Sequence, residues 1–531
     1  MTRTRLALAM TAGAGALLAA GAAQAASCED LAKATFKDAT ITSAKPYAAG
    51  DGVEIGVFGI PPLPTMKAFC RVEATLKPTP KSNVKVEVWL PDAGEWNGRF
   101  MATGNGGYGG SLGQPRLAMR PSLHKGYVTA GTDLGHSGDG STGEDASWAL
   151  NQPELIADFG HRANHVTAVF AKAVTAAYYG KGPNYSYFHG CSDGGREALM
   201  EAQRYPDDFD GIVAGAPANA WPRLMTSMAW SWKSAHADAA SRIPDAKLPA
   251  IQAAALASCD KLDGVADGVI EDPRRCRFDP ATIQCKDGDK DDCLTAPQVV
   301  ALKALYQGPR DASGKPLFPG YPAGGEAVPN AWTLWVSGEK AQHPSFARSF
   351  YRNMVYSDAA WDFPANFDLG KALADTTKTV GPTLASDNPD MSAFAKSGGK
   401  LILFHGWADA AISPYATIEY YDAVRSKMTP AKADGFSRLF MAPGVSHCLG
   451  GPGPNSFDML QSVVDWVEKG QAPEQVLATK YDNDYAALLD MPGANVVRTR
   501  PLCAWPKVAT WDGKGSTDEA ASFSCKVPAA K

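Results

Sequence analysis

One stretch constrains this chain more than any other: Tyr185-Ser-Tyr-Phe-His189, then Gly190-Cys-Ser-Asp-Gly194, then a helical run from Gly195 to Arg204. The first segment reads as a strand and the last as a helix, so the G-x-S-x-G pentapeptide must reverse the chain sharply between them. Glycine at both ends permits the turn, which lifts the Ser192 hydroxyl above a sheet at the start of a helix. The pentapeptide alone recurs by chance. Its strand–turn–helix setting is what separates a nucleophile from a capping serine. Further strands are read at Val84–Leu90, Arg99–Thr103, Tyr127–Thr132, Gly211–Gly215, Lys400–Phe404 and Arg438–Ala442. A helix is expected from about Asp158 to Tyr179, with Val166, Val169, Phe170, Ala173 and Val174 at helical spacing. Strands alternating with helices imply an α/β fold around a mostly parallel sheet.

Residues 218–395 break that rhythm with four cysteines, many Trp, Pro and Gly, and few clean strands. They are read as a lid inserted between two sheet strands. An independent second domain is the alternative, but no Ser/Gly/Pro-only linker flanks either end. At the N-terminus, Arg3 and Arg5, apolar Leu6–Ala20 and Ala23-Gln-Ala25 have the order of a cleaved export signal. An anchor helix is the rival reading, and the run is shorter than the ~20 residues a span needs. The expected organisation is therefore a signal peptide at 1–25, core at 26–217, lid at 218–395 and core again at 396–531, in a secreted or periplasmic protein. A net charge of -5 and the lack of a basic stripe or polybasic segment argue against nucleic-acid and membrane partners. Oligomeric state is not legible.

A serine hydroxyl needs a base and an orienting acid. In α/β-hydrolases the chain order is Ser, then acid, then His. Asp409, in His405-Gly-Trp-Ala-Asp409 after strand 400–404, is the acid candidate. His447, in Pro443-Gly-Val-Ser-His447 after strand 438–442, is the base candidate, with His189 and His405 as second choices. All ten cysteines follow the cleavage site, and an oxidising compartment favours five disulfides. No C-x-x-C pair suggests zinc. Short loops favour Cys259–Cys276, Cys285–Cys293 and Cys503–Cys525, and Cys28–Cys70 would pin the N-terminus. That leaves Cys191, immediately before Ser192, and Cys448, immediately after His447. A bond between them requires Cα atoms within ~7 Å and would bring nucleophile and base together; two free buried thiols are the alternative.

Charge on a tetrahedral intermediate needs donors. The Asp193 backbone N–H is one candidate. The other is Gly106, with Gly107 close behind, in the run Gly104-Asn-Gly-Gly-Tyr-Gly-Gly110 after an early strand. In the insertion, Asp260, Asp263 and Asp267 crowd a tight loop between Cys259 and Cys276. Those side chains, with the backbone carbonyls of Val265 and Val269, form a hard-oxygen set suited to Ca²⁺, though without EF-hand spacing. A solvated acidic loop stapled by its disulfide is the bland alternative. No organic cofactor is expected.

These residues together resemble the tannase and feruloyl esterase family of secreted serine esterases. The matching pieces are Gly190-Cys-Ser-Asp-Gly-Gly-Arg-Glu197, Tyr205-Pro, Phe209-Asp-Gly-Ile-Val-Ala-Gly-Ala-Pro217, His405-Gly with Asp409-Ala-Ala, and Pro443-Gly with His447-Cys448. The resemblance implies an α/β-hydrolase core with a large inserted lid domain, the Ser192–Asp409–His447 triad and the Cys191–Cys448 bridge. It also implies oxyanion donors at Gly106 and Asp193, and Ca²⁺ at Asp260, Asp263, Val265, Asp267 and Val269. The implied substrate is a small aromatic ester with a feruloyl, chlorogenic or galloyl group. Hydrolysis of synthetic terephthalate-type esters and non-catalytic binding of a polyphenol or polysaccharide are the alternatives. Ala341 falls where a terephthalate hydrolase of this family carries a basic clamp, which favours a phenolic acyl group. Ile412 is expected to line the pocket. The lid aromatics Trp332, Trp335, Phe346 and Trp361 are candidates for stacking on the acyl ring, with core packing the favoured alternative.

Overall fold

The computed structural model describes residues 27–528 apart from 58, 139–142, 237 and 490. The export signal expected at residues 1–25 lies outside the described residues. Nine strands form one sheet: β1 (Ala39–Tyr47), β2 (Phe69–Leu76), β3 (Val84–Pro91), β4 (Arg99–Thr103), β5 (Val128–Thr132), β6 (Tyr185–Cys191), β7 (Gly211–Gly215), β8 (Lys400–Gly406) and β9 (Ser437–Ala442). Their spatial order is β1-β2-β3-β5-β4-β6-β7-β8-β9. The first three pair antiparallel, and β3 pairs antiparallel with β5. From β5 to β9 every neighbour is parallel.

Alternate residues of each central strand serve opposite faces, which is why these strands read as nearly continuous apolar runs. One face carries Phe100, Phe188, Ile212, Leu401 and Leu439. Helix α1 is Gly113–His124; α2 (Ala163–Tyr179), α3 (Asp193–Arg204) and α4 (Pro414–Met428) cover that face through side chains such as Phe170, Leu199 and Tyr421. The other face carries Met101, Tyr187, Val213, Ile402 and Phe440 beneath α5 (Met459–Lys469). A π-helical turn at Asp158–Arg162 starts α2 later than its periodicity suggests. Beyond α5, strands Gln475–Tyr481 and Val496–Cys503 pair in one ribbon, and Val508–Trp511 and Phe523–Lys526 in another.

Among the described residues, no strand of the sheet lies between β7 and β8. That interval is helical and irregular, and includes helices Trp221–Ala235, Leu248–Cys259 and Ala296–Gln307. It buries its own cluster of Ile251, Leu302, Tyr321 and Trp332, which also takes in Ala408 and Ala410 from the loop after β8. Phe346, Phe350 and Tyr351 from the same interval join the sheet's core. Among the described residues, no helix is long and apolar enough to cross a membrane.

Two buried histidines make stability pH-dependent. His136 stacks on Trp148 at 3.7 Å, and His343 Nε2 lies 3.2 Å from the Ala411 carbonyl. Burial lowers both from 6.5 to about 4. A folded-state value below the unfolded one means stability present above pH 6.5 and lost as pH falls toward 4. Buried Asp133, raised by burial to about 7, works in the opposite direction over an overlapping window. The clean comparison is therefore between the parent and His343→Gln. The parent's stability advantage should shrink by about 3 kcal/mol between pH 7 and pH 4. Urea unfolding at both values would read this, and a constant gap would refute it.

Candidate active site

Ser192 lies between β6 and α3, capping the helix with φ +65° and ψ -122°, a conformation that costs a non-glycine residue free energy and persists only when its surroundings enforce it. The Ser192 N–H donates to the Gly215 carbonyl on β7 at 3.0 Å. A Cβ on Gly190 would stand 2.2 Å from the Gly194 carbonyl oxygen, and one on Gly195 would stand 2.3 Å from that of Gly215. Glycine at these positions is therefore a packing requirement of the elbow.

His447 lies on the turn after β9. Its Nε2 is 2.8 Å from Ser192 Oγ, and its Nδ1 is 2.7 Å from Asp409 Oδ2. An Nδ1–H donated to Asp409 leaves Nε2 free to accept the serine proton. Asp409 follows β8 and is fully buried; its Oδ1 accepts the Ala411 and Ile412 N–H groups at 2.8 and 2.9 Å. Burial works to raise its pKa. His447 and the hydrogen bonds from His405 and His447 outweigh burial and hold the carboxyl well below the usual range. His405, a second choice for the base, instead braces the acid. Its Nε2 is 3.0 Å from Asp409 Oδ2 and its Nδ1 is 2.7 Å from Thr417 Oγ1. His189 lines the cavity near Ser192 without a hydrogen bond to the triad among those described.

The ten cysteines form five disulfides: Cys28–Cys70, Cys191–Cys448, Cys259–Cys276, Cys285–Cys293 and Cys503–Cys525. Cys191 and Cys448 lie 257 residues apart in sequence and 5.9 Å apart at Cα. The bond joins the Ser192 turn directly to the His447 turn.

Ser192, Asp193, Gly106 and Gly107 all border a cavity of about 420 Å³. Its wall is mainly apolar, with Leu224, Met225, Leu334, Trp335, Phe346 and Ile412. Trp335 meets the His447 ring edge-on at 5.4 Å. Of the four aromatics considered for stacking, Trp335 and Phe346 face the cavity, and Trp332 and Trp361 pack in core clusters. Ala341 is buried and does not line it; the neighbouring Gln342 does. Among the described residues, no Lys or Arg borders this cavity.

The acidic loop divides. Asp263, Asp267, Val269 and Glu271 line one small cavity with Arg500. Asp260 and Val265 do not line it; the Asp260 carboxylate accepts the backbone N–H groups of Asp267 and Gly268. Asp267 pairs with Arg498 and Arg500. Glu271, absent from the sequence-based ligand set, accepts the Ala509 N–H at 2.9 Å. Burial pushes Asp263 up to about 6 and Glu271 up to about 8. Three carboxyl groups and a backbone carbonyl converge there against Arg500, the oxygen-donor chemistry a hard divalent cation takes. The loop is distant from the triad in sequence but not in space. Pro443 lines the same cavity, and a Cβ on Gly444 would stand 3.0 Å from the Val269 side chain.

A family model described as "Tannase and feruloyl esterase" matches residues 70–526. The chain belongs to the tannase and feruloyl esterase family. It is accordingly a carboxylic ester hydrolase. It is 38% identical over 494 residues to a probable feruloyl esterase of Arthroderma benhamiae, covering 89% of each chain. It is 34% identical over 508 residues to the mono(2-hydroxyethyl) terephthalate hydrolase of Piscinibacter sakaiensis, covering 84% of this chain and 82% of that one. The crystal structure of feruloyl esterase B from Aspergillus oryzae superposes with a TM-score of 0.84 at 30% identity, covering 94% of this chain and 99% of that one.

Two substitutions test the site's geometry. Asp409→Asn removes the acceptor that fixes the His447 tautomer and should lower kcat about 10³- to 10⁴-fold. Replacing Cys191 and Cys448 together with Ala should lower both the melting temperature and kcat, the latter about 10- to 100-fold, because the reacting groups lose their fixed separation. Unchanged steady-state kinetics in either variant would contradict this geometry.

Proposed function

We propose that the chain is an exported serine esterase that cleaves esters of phenolic acids through an acyl-serine intermediate. The observation that carries this reading is the unbroken hydrogen-bonded series Ser192–His447–Asp409 opening onto an apolar, aromatic-lined cavity. His447 Nε2 takes the Ser192 proton as Oγ attacks the ester carbonyl. Asp409 stabilises the imidazolium that forms. The backbone N–H groups of Gly106 and Asp193 receive the oxyanion. As the tetrahedral species collapses, His447 returns its proton to the departing alcohol. Water, activated by the same imidazole, then releases the acid and restores the serine.

The acyl side of the cavity favours a flat ring against Trp335 and Phe346. A free carboxylate on that ring would enter a wall with no Lys or Arg among the described residues to meet it. Feruloyl-type esters, the substrates named for the Arthroderma and Aspergillus relatives, therefore fit better than the terephthalate half-ester named for the Piscinibacter relative. Five disulfides are consistent with an extracellular or periplasmic site of action.

Ca²⁺ is proposed as a structural ion of the acidic loop, with Asp263, Asp267 and the Val269 carbonyl as ligands and Asp260 and Val265 completing the set. When bound, it would neutralise the carboxylates packed beneath the His447 turn.

Ser192→Ala should abolish turnover of methyl ferulate and methyl gallate while preserving the melting temperature; retained turnover would refute the nucleophile. In the parent protein, kcat/KM for methyl ferulate should exceed that for mono(2-hydroxyethyl) terephthalate by at least about tenfold, and the reverse order would overturn the acyl assignment. Chelation with EDTA should lower the melting temperature and added Ca²⁺ restore it, in the parent but not in Asp263→Asn. A parent indifferent to both would remove the ion.

A further inference from the structure

The Gly106 N–H can receive an oxyanion only if its peptide is held in place. Gly106 follows Asn105, whose carbonyl and the Gly106 N–H belong to one planar peptide and point in opposite directions. That carbonyl accepts the Gly194 N–H of α3 at 2.8 Å. On the other side of Asn105, its own N–H donates to Glu197 Oε1 at 3.0 Å. The Asn105 side chain donates to the Thr132 carbonyl at 2.6 Å. A Cβ on the preceding Gly104 would stand 2.5 Å from Gly194 Cα and 3.0 Å from Glu197 Oε2, so the loop rides directly on the nucleophile's helix.

Glu197 is only 2% exposed and has no hydrogen bond to Ser192, His447 or Asp409 among those described. Its second oxygen, Oε2, accepts Asn164 Nδ2 of α2 at 2.6 Å. A buried carboxyl group away from the proton path and directed at one loop N–H has a mechanical task. We propose that Glu197 is a positioning residue of the ester hydrolysis, fixing the Asn105–Gly106 peptide so that the Gly106 N–H meets the developing oxyanion. The inference rests on the acyl-serine reading.

The groups facing Glu197 limit what can replace it. Asp193 lies beside it at the start of α3, with both carboxylate oxygens held by Arg196. The Arg196 guanidinium is anchored in turn by the Gly160 and Phe159 carbonyls. Burial, then the Asp193 charge, push the Glu197 carboxyl well above its usual range. A neutral carboxyl still presents a carbonyl oxygen to the Asn105 N–H, and so does an amide. Glutamine should therefore serve, with Asn164 turning its amide to accept from it. Methionine matches the length but accepts nothing useful, leaving the Asn105 N–H unpaired.

The test compares Glu197→Gln, Glu197→Met and Ser192→Ala on the fastest ester of the panel above, with the acid product as a competitive inhibitor. Glu197→Met should lose kcat about 10- to 100-fold, with KM and product affinity within about threefold of the parent. Glu197→Gln should keep kcat within about threefold. Asn164→Ala, which unties Glu197 without touching the loop, should give a smaller kcat loss of the same kind and carries the test if Glu197→Met does not fold. Three results would overturn the proposal: parental kcat in Glu197→Met, or in Asn164→Ala where that variant carries the test; a parallel loss of kcat and product affinity; or Glu197→Gln as impaired as Glu197→Met. If Ser192→Ala stays active, the acyl-serine reading itself has failed. If it is inert while Glu197→Met is unimpaired, only the positioning role has.

Discussion

The Cys191–Cys448 disulfide joins the turn after β6 to the turn after β9, and the residues beside its two sulfurs are the hydroxyl and the imidazole. Between the two cysteines lie three further sheet strands and the whole helical interval from Trp221 onward. In the chain-entropy picture, closing a loop this long removes up to about 5 kcal/mol of freedom from the unfolded chain. The kinetic consequence matters more than the stability. A hydrogen bond of 2.8 Å between Ser192 and His447 survives only if neither turn can drift, and both otherwise hang from different strands.

Each remaining part of the site is over-determined in the same way. Asp409 is locked by two backbone N–H groups and by His405, so the acid cannot rotate away from His447. The loop leading to Gly106 is tied to α3 through Gly194 and Glu197 and to β5 through Thr132. The acidic loop packs under the His447 turn through Val269. The apolar wall is supplied largely by the helical interval, which shares buried side chains with both the sheet and the Asp409 loop. Ser192, Asp409 and His447 sit on the sheet's turns, while the shape of the cavity beside them depends on the helical interval between β7 and β8.

The parallel half of the sheet and the elbow were legible because buried central strands are continuous apolar runs and the elbow needs glycine at fixed places. β1 was not, since Ala39–Tyr47 alternates half-buried and exposed residues at the sheet's edge and carries Pro46. Ser192, Asp409 and His447 could be named from chain order and strand ends. The bracing role of His405 could have been found from its spacing four residues before Asp409. Glu197 and Glu271 offered no such signal, because their partners are backbone N–H groups 92 and 238 residues away. Spacing and the family resemblance put Asp260 and Val265 in the ligand set; folding adds backbone N–H groups as partners of Asp260 and brings Glu271 to the cavity.

One mapping experiment addresses the tether and the nucleophile together. The protein is labelled with a fluorophosphonate, digested without reduction and examined by mass spectrometry. The modified Ser192 peptide should be found joined through Cys191 to the peptide carrying His447 and Cys448, and reduction should separate the two. A label on another residue, or Cys191 found free or bonded to a different cysteine, would contradict the account.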